Sequence, residues 1–432
     1  MQIPIYELKT MSPDIRAKIM RRAEEDISEQ LKIAREISAD VKENGDQAVI
    51  KYTEKFDKAS LTPQTIKVTQ EEIDAGYERA DKEYREALEF AANNIRIFHE
   101  KQMPEPIWFT ETSPGILAGE QTNPLPDVCI YVPRGKGSFP SVMLMMAIPA
   151  LVAKVPRITI LTPPAPNGHL DDGVLAAAKV CGVSEIYKVG GIQGVAAVAY
   201  GTQTIPKCSK IIGPGSSFVT AAKRVLSDEI DAGPPAGPSE GLILADEFAD
   251  FEKVGLDLMI EAEHGPDSAA LLVTDSKELA EKVREFVADQ MPKLSEQRKE
   301  FVQTVFSEYG GVILTDSLEE SIDFINEYAP EHMEIMTKDP WGVMPKIKNA
   351  GEILLGEYAP ITLANFLIGV NAILPTGKGA KTYSSVSVYD FLKKTSIGYV
   401  TKEGFESTRK MASIFARVEG FETHALAVEE RK

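Results

Sequence analysis

The chain has 432 residues, of which 43% are apolar, and 47 basic against 65 acidic side chains give a formal net charge of −18. This length suggests two to four structural units, and the apolar content is sufficient for large cores. The acidic excess argues against a nucleic-acid partner, because no basic segment stands out that could follow a phosphate backbone.

Neither a membrane span nor a secretion signal is predicted. The longest apolar run, 142–153, contains Pro149 and is too short to cross a bilayer. The N-terminus, "MQIPIYELKT", lacks a basic head followed by an apolar core. Cys129, Cys181 and Cys208 have no CxxC spacing, which is typical of core residues in a reducing compartment. We therefore expect a cytoplasmic protein without a membrane partner.

Helical spacing of apolar residues predicts a charged, helix-rich region over 11–102. From residue 127 onward, short apolar strands such as "DVCIYVP" and "RITILTPP" alternate with helices, which is typical of a doubly wound parallel sheet. The pattern restarts at "GLILAD" (241–246), after a Gly- and Pro-rich joint at 233–240. The sequence therefore predicts two similar α/β halves.

The expected organisation has four parts. They are an N-terminal helical segment (1–30), a discontinuous first α/β domain (31–128 plus 240–384), a second Rossmann-like domain (129–239) and a C-terminal helical arm (385–432).

Two Glu/His pairs are candidates for chemistry. In "EAEHG", Glu261 and His264 are three residues apart and share a helix face, so both could reach one metal ion. Without paired cysteines, a zinc site would have to use His, Asp, Glu or amide ligands. In "APEHMEI", Glu331 and His332 begin a strand, where we expect α/β sheets to carry sites, and could act as base and acid. The alternatives are a polar helix end and a solvated turn.

Two Gly-rich turns could contact a phosphate. "GPGSS" (213–217) follows a strand and opens a helix, so its backbone N–H groups could face an anion. "PRGKG" (133–137) adds Arg134 and Lys136. The G-x-G-x-x-G fingerprint is absent, and plain tight turns are the alternative. His99 and His169 are expected to be ordinary surface residues.

Taken together, these motifs resemble those of histidinol dehydrogenases over about 30–430 of the chain. The resemblance rests on nine segments in matching order: "YVPRG", "VGGIQGVAAVAYGT", "IIGPGSSFVTAAKR", "AGPSE", "AEHGPDS", "APEHMEI", "ILPTG", "TYSSVSVYDFLKK" and "EGFETHA". It implies an α/β fold with two incomplete Rossmann-like doubly wound domains, a helical N-terminal region and a C-terminal arm. It also implies a domain-swapped homodimer with one zinc ion per subunit. Two NAD molecules in succession would oxidise a primary alcohol through an aldehyde to a carboxylate.

The resemblance also assigns roles to particular residues. Glu331 would be the base that activates water, and His332 the acid/base that takes the alcohol proton. The remaining matched positions would bind the metal, the cofactor and the substrate. They are Glu261, His264, Asn365 and His424 (the last from the partner subunit) for zinc, Tyr131, Gln193 and Ser216 for NAD, and Ser239 and Glu419 for the substrate.

Several positions depart from the family pattern. Glu261 and Asn365 stand where the family normally has glutamine and aspartate, so one carboxylate is gained and one lost. This exchange keeps an oxygen ligand on each side of the metal, and we expect zinc to be retained. Ala372 replaces a histidine near the substrate, and Asn371 could turn in as its substitute.

These departures leave the substrate open. One alternative is a paralogue that oxidises another small polar or anionic alcohol, for example a sulfonated diol, which Arg134, Lys136 and Ala372 favour. The other alternative is a non-catalytic, metabolite-binding relative, which the intact pair of Glu331 and His332 disfavours.

Overall fold

The structure is a computed structural model, and it describes residues 3–22, 27–134, 138–234 and 237–432. Lys136, which was considered as a cationic group of the second Gly-rich turn, lies outside these residues. Thirteen strands occur in the described part of the chain: β1 (Ile5–Glu7), β2 (Ile107–Ser113), β3 (Ile116–Pro124), β4 (Val128–Tyr131), β5 (Ile158–Thr162), β6 (Ile186–Lys188), β7 (Ile211–Ile212), β8 (Glu240–Ala245), β9 (Ala269–Thr274), β10 (Gly311–Leu314), β11 (His332–Met336), β12 (Glu352–Leu355) and β13 (Leu392–Val400).

Helices connect these strands. Over the same described residues they are α1 (Pro13–Arg21), α2 (Ser28–Asn44), α3 (Asp46–Asp57), α4 (Gln70–Arg79), α5 (Lys82–Lys101), α6 (Pro140–Val152), α7 (Asp172–Cys181), α8 (Gly191–Tyr200), α9 (Ser217–Val225), α10 (Phe251–Ala262), α11 (Lys277–Gln290), α12 (Glu296–Glu308), α13 (Leu318–Tyr328), α14 (Pro340–Val343), α15 (Ile361–Phe366), α16 (Lys402–Val418) and α17 (Glu422–Glu429). No helix of the described residues is long and apolar enough to cross a membrane.

The larger sheet has six strands in the order β1-β10-β9-β8-β11-β12, and every neighbouring pair is parallel. Helices α10, α11 and α12 pack on one face, and α1, α13 and α14 pack on the other. Because both faces are covered, its central strands are continuous apolar runs rather than alternating ones. This confirms the second α/β half that the sequence predicted.

The smaller sheet has four parallel strands in the order β6-β5-β4-β7. Helices α5, α6 and α7 share one hydrophobic cluster on one face, and α2, α3, α8 and α9 share another on the opposite face. The chain runs outward from β4 to β6 and then crosses back to β7. The direction of winding therefore changes between β4 and β7, which makes this sheet doubly wound, as predicted.

The helix-rich region belongs with a different sheet than the sequence analysis expected. Residues 31–128 were assigned with 240–384, but α2, α3 and α5 bury their apolar faces against the smaller sheet, in contact with Cys129 and Ile130 of β4. An amphipathic helix shows in its sequence that it has an apolar face, but not which sheet covers that face. The assignment of 31–128 therefore needs correction.

Two segments that were expected to be purely helical also contain strands. The N-terminal segment contributes β1 to the edge of the larger sheet. The C-terminal arm begins with β13, which pairs antiparallel with β3 from Leu392↔Pro124 to Val400↔Ile116. The three strands β13-β3-β2 form a ribbon, and α16 and α17 pack against each other beyond it.

Replacing Ile95 with alanine tests how α5 is packed. Ile95 is fully buried in the cluster that α5 shares with β4 and α6, so Ile95→Ala should lower the free energy of unfolding by about 2–5 kcal/mol. Ile97 lies on the same helix but is 59% exposed, and Ile97→Ala should change the free energy of unfolding by no more than about 0.5 kcal/mol. Urea denaturation of both variants gives the comparison, and equal losses would contradict this packing.

Candidate active site at the amino edge of the larger sheet

The predicted acid–base pair lies at the amino ends of three neighbouring strands. His332 is the first residue of β11, where it pairs with Gly241 of β8 on one side and with Glu352 of β12 on the other. The sequence predicts these two residues at a strand start, and the structure has them there, because Glu331 and His332 enter β11 from the end of α13. Sites in α/β sheets are more common at the carboxyl edge of the strands.

The imidazole of His332 is held between two carboxylates. Its Nδ1 makes a short contact with Glu352 Oε1, and its Nε2 lies 3.9 Å from Glu331 Oε1. All three side chains are buried. A carboxylate on Nδ1 fixes both the ring orientation and the tautomer, which leaves Nε2 as the nitrogen available for proton transfer.

Glu331 is oriented by backbone contacts. Its Oε2 accepts a hydrogen bond of 2.8 Å from the backbone N–H of Glu240, and its carbonyl accepts one of 3.0 Å from the N–H of Glu352. The side chain and the main chain of Glu331 are therefore both tied to neighbouring strands, which makes the carboxylate rigid.

Helix α10 delivers Glu261 to the same place. A Cβ atom on Gly241 would lie 2.8 Å from Glu261 Cγ, so the glutamate side chain lies directly over the glycine that pairs with His332. Glu261 is 1% exposed, and neither of its carboxylate oxygens accepts a hydrogen bond from the described residues. The half-exposed imidazole of His264 is adjacent, with Nδ1 3.2 Å from Glu261 Oε2. A buried carboxylate with unused oxygens is the feature expected of a cation ligand.

Asn365 lies on α15, which packs beside α10. Ile361 and Ala364 of α15 share a small apolar cluster with Ile260 of α10. The backbone N–H of Ile361 donates to Glu334 Oε1 over 2.7 Å, which ties α15 to β11. The structure therefore brings the helix that carries Asn365 to the helix that carries Glu261, and His264 lies in the turn directly after that helix.

Buried negative charge dominates the electrostatics of this edge. Burial raises the pKa of Glu331 well above its usual range, and the carboxylates of Glu261 and Glu240 raise it further against the effect of His332. Burial alone would lower the pKa of His332, but Glu261, Glu331 and Glu352 outweigh it and raise the pKa to about 10. Such an excess of carboxylates favours a bound cation.

The arm residues do not join this cluster within one chain. Glu419 follows α16 and His424 lies on α17, and both side chains are exposed. The ring of His424 packs at 5.0 Å from that of Phe421. Among the described residues, no three or more His, Cys, Asp or Glu side chains come together as a metal site. One chain thus assembles Glu261 and His264 beside α15, without His424.

The predicted nucleotide residues meet at the carboxyl edge of the smaller sheet. Tyr131 ends β4, Ser216 caps α9 just after β7, and Gln193 lies in the first turn of α8. Gly213, at φ +128°, runs so close to β4 that a Cβ atom would lie 2.3 Å from the carbonyl oxygen of Tyr131. This crevice between β4 and β7 is the switch point where doubly wound sheets bind ligands.

Two side chains give this crevice polar character. The hydroxyl of Tyr131 accepts a hydrogen bond of 3.0 Å from the backbone N–H of Gly191. Gln193 is 1% exposed, and its Oε1 atom has no hydrogen-bond donor among the described residues. The crevice therefore retains a buried acceptor that a ligand could use.

The predicted substrate residues are placed differently from one another. Ser239 immediately precedes β8 and is half-buried beside Glu240. Asn371 is buried in the core, where Nδ2 donates to the Met145 carbonyl over 2.6 Å and lies 3.3 Å from His99 Nε2. Its Oδ1 accepts from the N–H of Ile373. The expectation that Asn371 turns toward a substrate needs correction, because these core contacts occupy its amide.

The same contacts correct the expectation for His99, which is fully buried rather than a surface residue. Its Nδ1 lies 2.7 Å from the carbonyl oxygen of Ile95 in the preceding turn of α5. Burial lowers the pKa of His99, and a neutral ring donates from Nδ1 and accepts at Nε2. His169 is exposed, as expected.

Sequence reasoning missed Glu352, Glu240 and Gly241. Glu352 stands at the start of a predicted strand, and Gly241 lies inside another, but neither has a motif of its own. Their importance follows from register, because parallel pairing sets Glu352 and Gly241 on either side of His332. The one available signal is Gly241 itself, because a glycine within an apolar strand often marks a place where another group packs closely against the backbone.

Comparisons with known proteins agree with this architecture. A model of the family described as histidinol dehydrogenase matches residues 20–432. A histidinol dehydrogenase from Synechocystis sp. is 48% identical over 428 residues, which cover 99% of either chain. A histidinol dehydrogenase homolog from Colwellia psychrerythraea is also 48% identical over 428 residues, which cover 99% of this chain and 96% of that relative.

A solved structure agrees as well. The crystal structure of histidinol dehydrogenase from Elizabethkingia anophelis matches with a TM-score of 0.94 at 34% identity, and covers 99% of this chain and 97% of that one. Two doubly wound sheets and these matches make the chain an α/β oxidoreductase. The chain belongs to the histidinol dehydrogenase family.

Proposed function

We propose that this protein is a zinc- and NAD-dependent dehydrogenase that oxidises a primary alcohol through an aldehyde to a carboxylate. The proposal rests on the buried array of Glu331, His332 and Glu352 beside Glu261, whose carboxylate oxygens accept no hydrogen bond from the described residues. A solvated turn has no need to bury three carboxylates around one imidazole. Membership of the histidinol dehydrogenase family supports the same reaction class.

The residues at this edge fit a divalent cation. Glu261 offers two buried oxygens, His264 an imidazole from the turn just after α10, and Asn365 an amide on the adjacent helix, with His424 supplied by the partner subunit. Imidazole, carboxylate and amide groups suit zinc. When bound, zinc would supply a Lewis acid that orients the substrate hydroxyl. Placing the carboxylate on Glu261 rather than at position 365 keeps the number of anionic ligands at one.

The acid–base steps follow from how the two catalytic side chains are held. Glu352 orients the ring of His332 through Nδ1, so His332 in its neutral form would take the hydroxyl proton of the alcohol at Nε2. Glu331 would take a proton from the water that attacks the aldehyde. In its ionised form, this buried carboxylate accepts a proton more readily than an exposed glutamate would, because its pKa is raised.

The crevice between β4 and β7 would hold NAD, whose nicotinamide would supply the hydride acceptor for each oxidation. Ser216 precedes the N-terminus of α9, where backbone N–H groups favour a phosphate. The Oε1 atom of Gln193 is a buried acceptor without a donor, which an N–H or O–H group of the dinucleotide could satisfy. Tyr131 would line the crevice floor between them.

A domain-swapped homodimer would complete the site. The arm carries large apolar side chains that are at least 46% exposed: Met411, Ile414, Phe415, Val418, Phe421 and Leu426. A contiguous apolar surface of this kind is typical of an interface with another chain. If the arm covers the partner, His424 would reach the partner's metal site and Glu419 its substrate, which explains why neither joins the cluster of its own chain.

The second candidate keeps the reaction and changes the substrate. It is supported by two contacts. Ala372 packs against the core, and the side-chain amide of Asn371 is engaged by the Met145 carbonyl and the His99 ring. A polar partner for an imidazole ring is therefore missing at this place. Another small polar or anionic alcohol, for example a sulfonated diol, is the resulting candidate.

Metal content and subunit mixing test the site and its assembly together. His264→Ala should lose zinc, which is about one ion per chain in the wild type, while the exposed His169→Ala should keep it. His264→Ala and His424→Ala should each be inactive, but their mixture should regain activity, because one site of the heterodimer recovers all its ligands. Unchanged zinc in His264→Ala, or no recovery after verified subunit exchange, would contradict the assignment.

The roles of Glu331 and His332 predict different losses in the two oxidation steps. His332→Ala should reduce alcohol oxidation by about 10²–10⁴-fold, the usual contribution of a positioned acid or base. Glu331→Gln should reduce the oxidation of supplied aldehyde more than that of alcohol. Single-turnover NADH formation from each substrate measures both steps, and equal losses on the two would refute this division of roles.

Substrate preference separates the two candidates. Sites built to hydrogen-bond a polar group discriminate strongly against molecules that lack it, so without such a partner we expect L-histidinol to be a poor substrate. Steady-state kinetics across L-histidinol, carboxylated alcohols and sulfonated alcohols, with zinc present, test this. A kcat/KM for L-histidinol within about 10⁴–10⁸ M⁻¹s⁻¹ would make it the physiological type of substrate and remove the second candidate.

A further inference from the structure

Arg22, the residue after α1, is buried beneath the amino edge of the larger sheet. It is 5% exposed, and its guanidinium carbon lies 3.7 Å from the centroid of the Tyr328 ring. Nη1 lies 2.8 Å from Oε1 and 2.6 Å from Oε2 of Glu240. The backbone of Arg22 has φ +62°, a strained conformation for an L residue that persists where its surroundings fix it.

Through Glu240, Arg22 reaches the group that orients the proposed base. The backbone N–H of Glu240 donates to Glu331 Oε2 over 2.8 Å. The side chain of Glu240 is anchored by Arg22 and by the N–H of Gly377, which donates to Oε1 over 2.7 Å. The position of the N–H that faces Glu331 therefore depends on where the Glu240 side chain is held.

Arg22 also holds the segment that leads into Glu331. Its Nη2 donates to the carbonyl oxygen of Tyr328 through a short contact, and to that of Ala329 over 3.3 Å. Ala329 ends α13 in the left-handed region at φ +54°, and Glu331 follows two residues later. The guanidinium of Arg22 thus contacts both the segment that leads into Glu331 and Glu240, the residue whose N–H donates to Glu331.

We propose that Arg22 is a positioning residue, which fixes the carboxylate of Glu331 for the aldehyde step by clamping Glu240 to the end of α13. The inference rests on the proposed function of Glu331. Arginine suits this task because its planar group offers five donors in a fixed arrangement, whereas a lysine ammonium has three on a flexible stem. Its charge also balances that of the buried Glu240 carboxylate.

Arg22→Met is the principal test, because methionine fills similar space without charge or donors. Misplacing a catalytic group by about 1 Å can cost about 10²-fold in rate, so oxidation of supplied aldehyde should fall by about that factor. Oxidation of the alcohol should fall much less, since it depends on His332. Arg22→Lys should give a smaller loss with the same selectivity. An equal loss on both steps would show a merely structural role and overturn the proposal.

Arg16→Met is the matched control. Arg16 also links α1 to α13, through a surface ion pair of 2.5 Å with Glu327, but does not touch Glu240. Its loss should leave both oxidation steps unchanged. A selective loss of aldehyde oxidation in Arg16→Met would mean that any α1–α13 contact has this effect, which would overturn the specific role of Arg22.

The double variant Arg22→Met with Glu331→Gln tests whether the two residues act in one chain of contacts. If Arg22 acts through Glu331, its replacement should add little once Glu331 is changed, because residues of one network are not additive. Losses that multiply would overturn the proposal. Thermal unfolding of each variant is measured first, so that rates refer to folded protein.

If Arg22→Met does not fold, Glu240→Gln supplies the same test, because it keeps the side-chain shape and weakens the ion pair. It should show the same selective loss of aldehyde oxidation, and a nonselective loss would overturn the proposal. A Glu331→Gln variant without selectivity would remove the proposed role of Glu331 and this inference with it. A selective Glu331→Gln beside a nonselective Arg22→Met would remove this inference alone.

Discussion

The parallel register of β8, β11 and β12 is the constraint on which the candidate site depends. Pairing places Gly241, His332 and Glu352 side by side at the amino edge of the larger sheet. Because Gly241, the neighbour of His332, has no side chain, the side chain of Glu261 on α10 can pack directly against β8 beside the imidazole. A one-residue slip of β11 would turn His332 to the opposite face and separate all four groups.

At this edge the buried carboxylates outnumber the buried cationic side chains. Glu240 has the permanent cation Arg22, and Glu352 contacts His332. Glu261 and Glu331 lie close enough for the charge of Glu261 to raise the pKa of Glu331, and Glu261 accepts no hydrogen bond from the described residues. A buried carboxylate without a balancing positive charge is costly, so this arrangement favours a bound metal ion.

The two sheets offer opposite edges. Glu331 and His332 occupy the amino edge of the larger sheet, whereas Tyr131, Gln193 and Ser216 lie at the carboxyl edge of the smaller one. The start of β8 and the segment after β12 contact each other, since the N–H of Gly377 donates to Glu240. None of the described residues covers the apolar side chains that α16 and α17 expose, which favours a site completed by two subunits.

The sequence alone determined the strands of both sheets except β1, the closeness of Glu261 and His264 at a helix end, and the adjacency of Glu331 and His332, because these depend on local patterns. It did not determine that α2, α3 and α5 pack on the smaller sheet, that His99 and Asn371 pair inside the core, or that Glu352 contacts His332. Nor could it indicate that Arg22 reaches Glu240 across 218 positions of the chain. Local patterns show which face of an element is apolar, but the partner of that face, and the strand beside each strand, are fixed when distant segments bury their surfaces together.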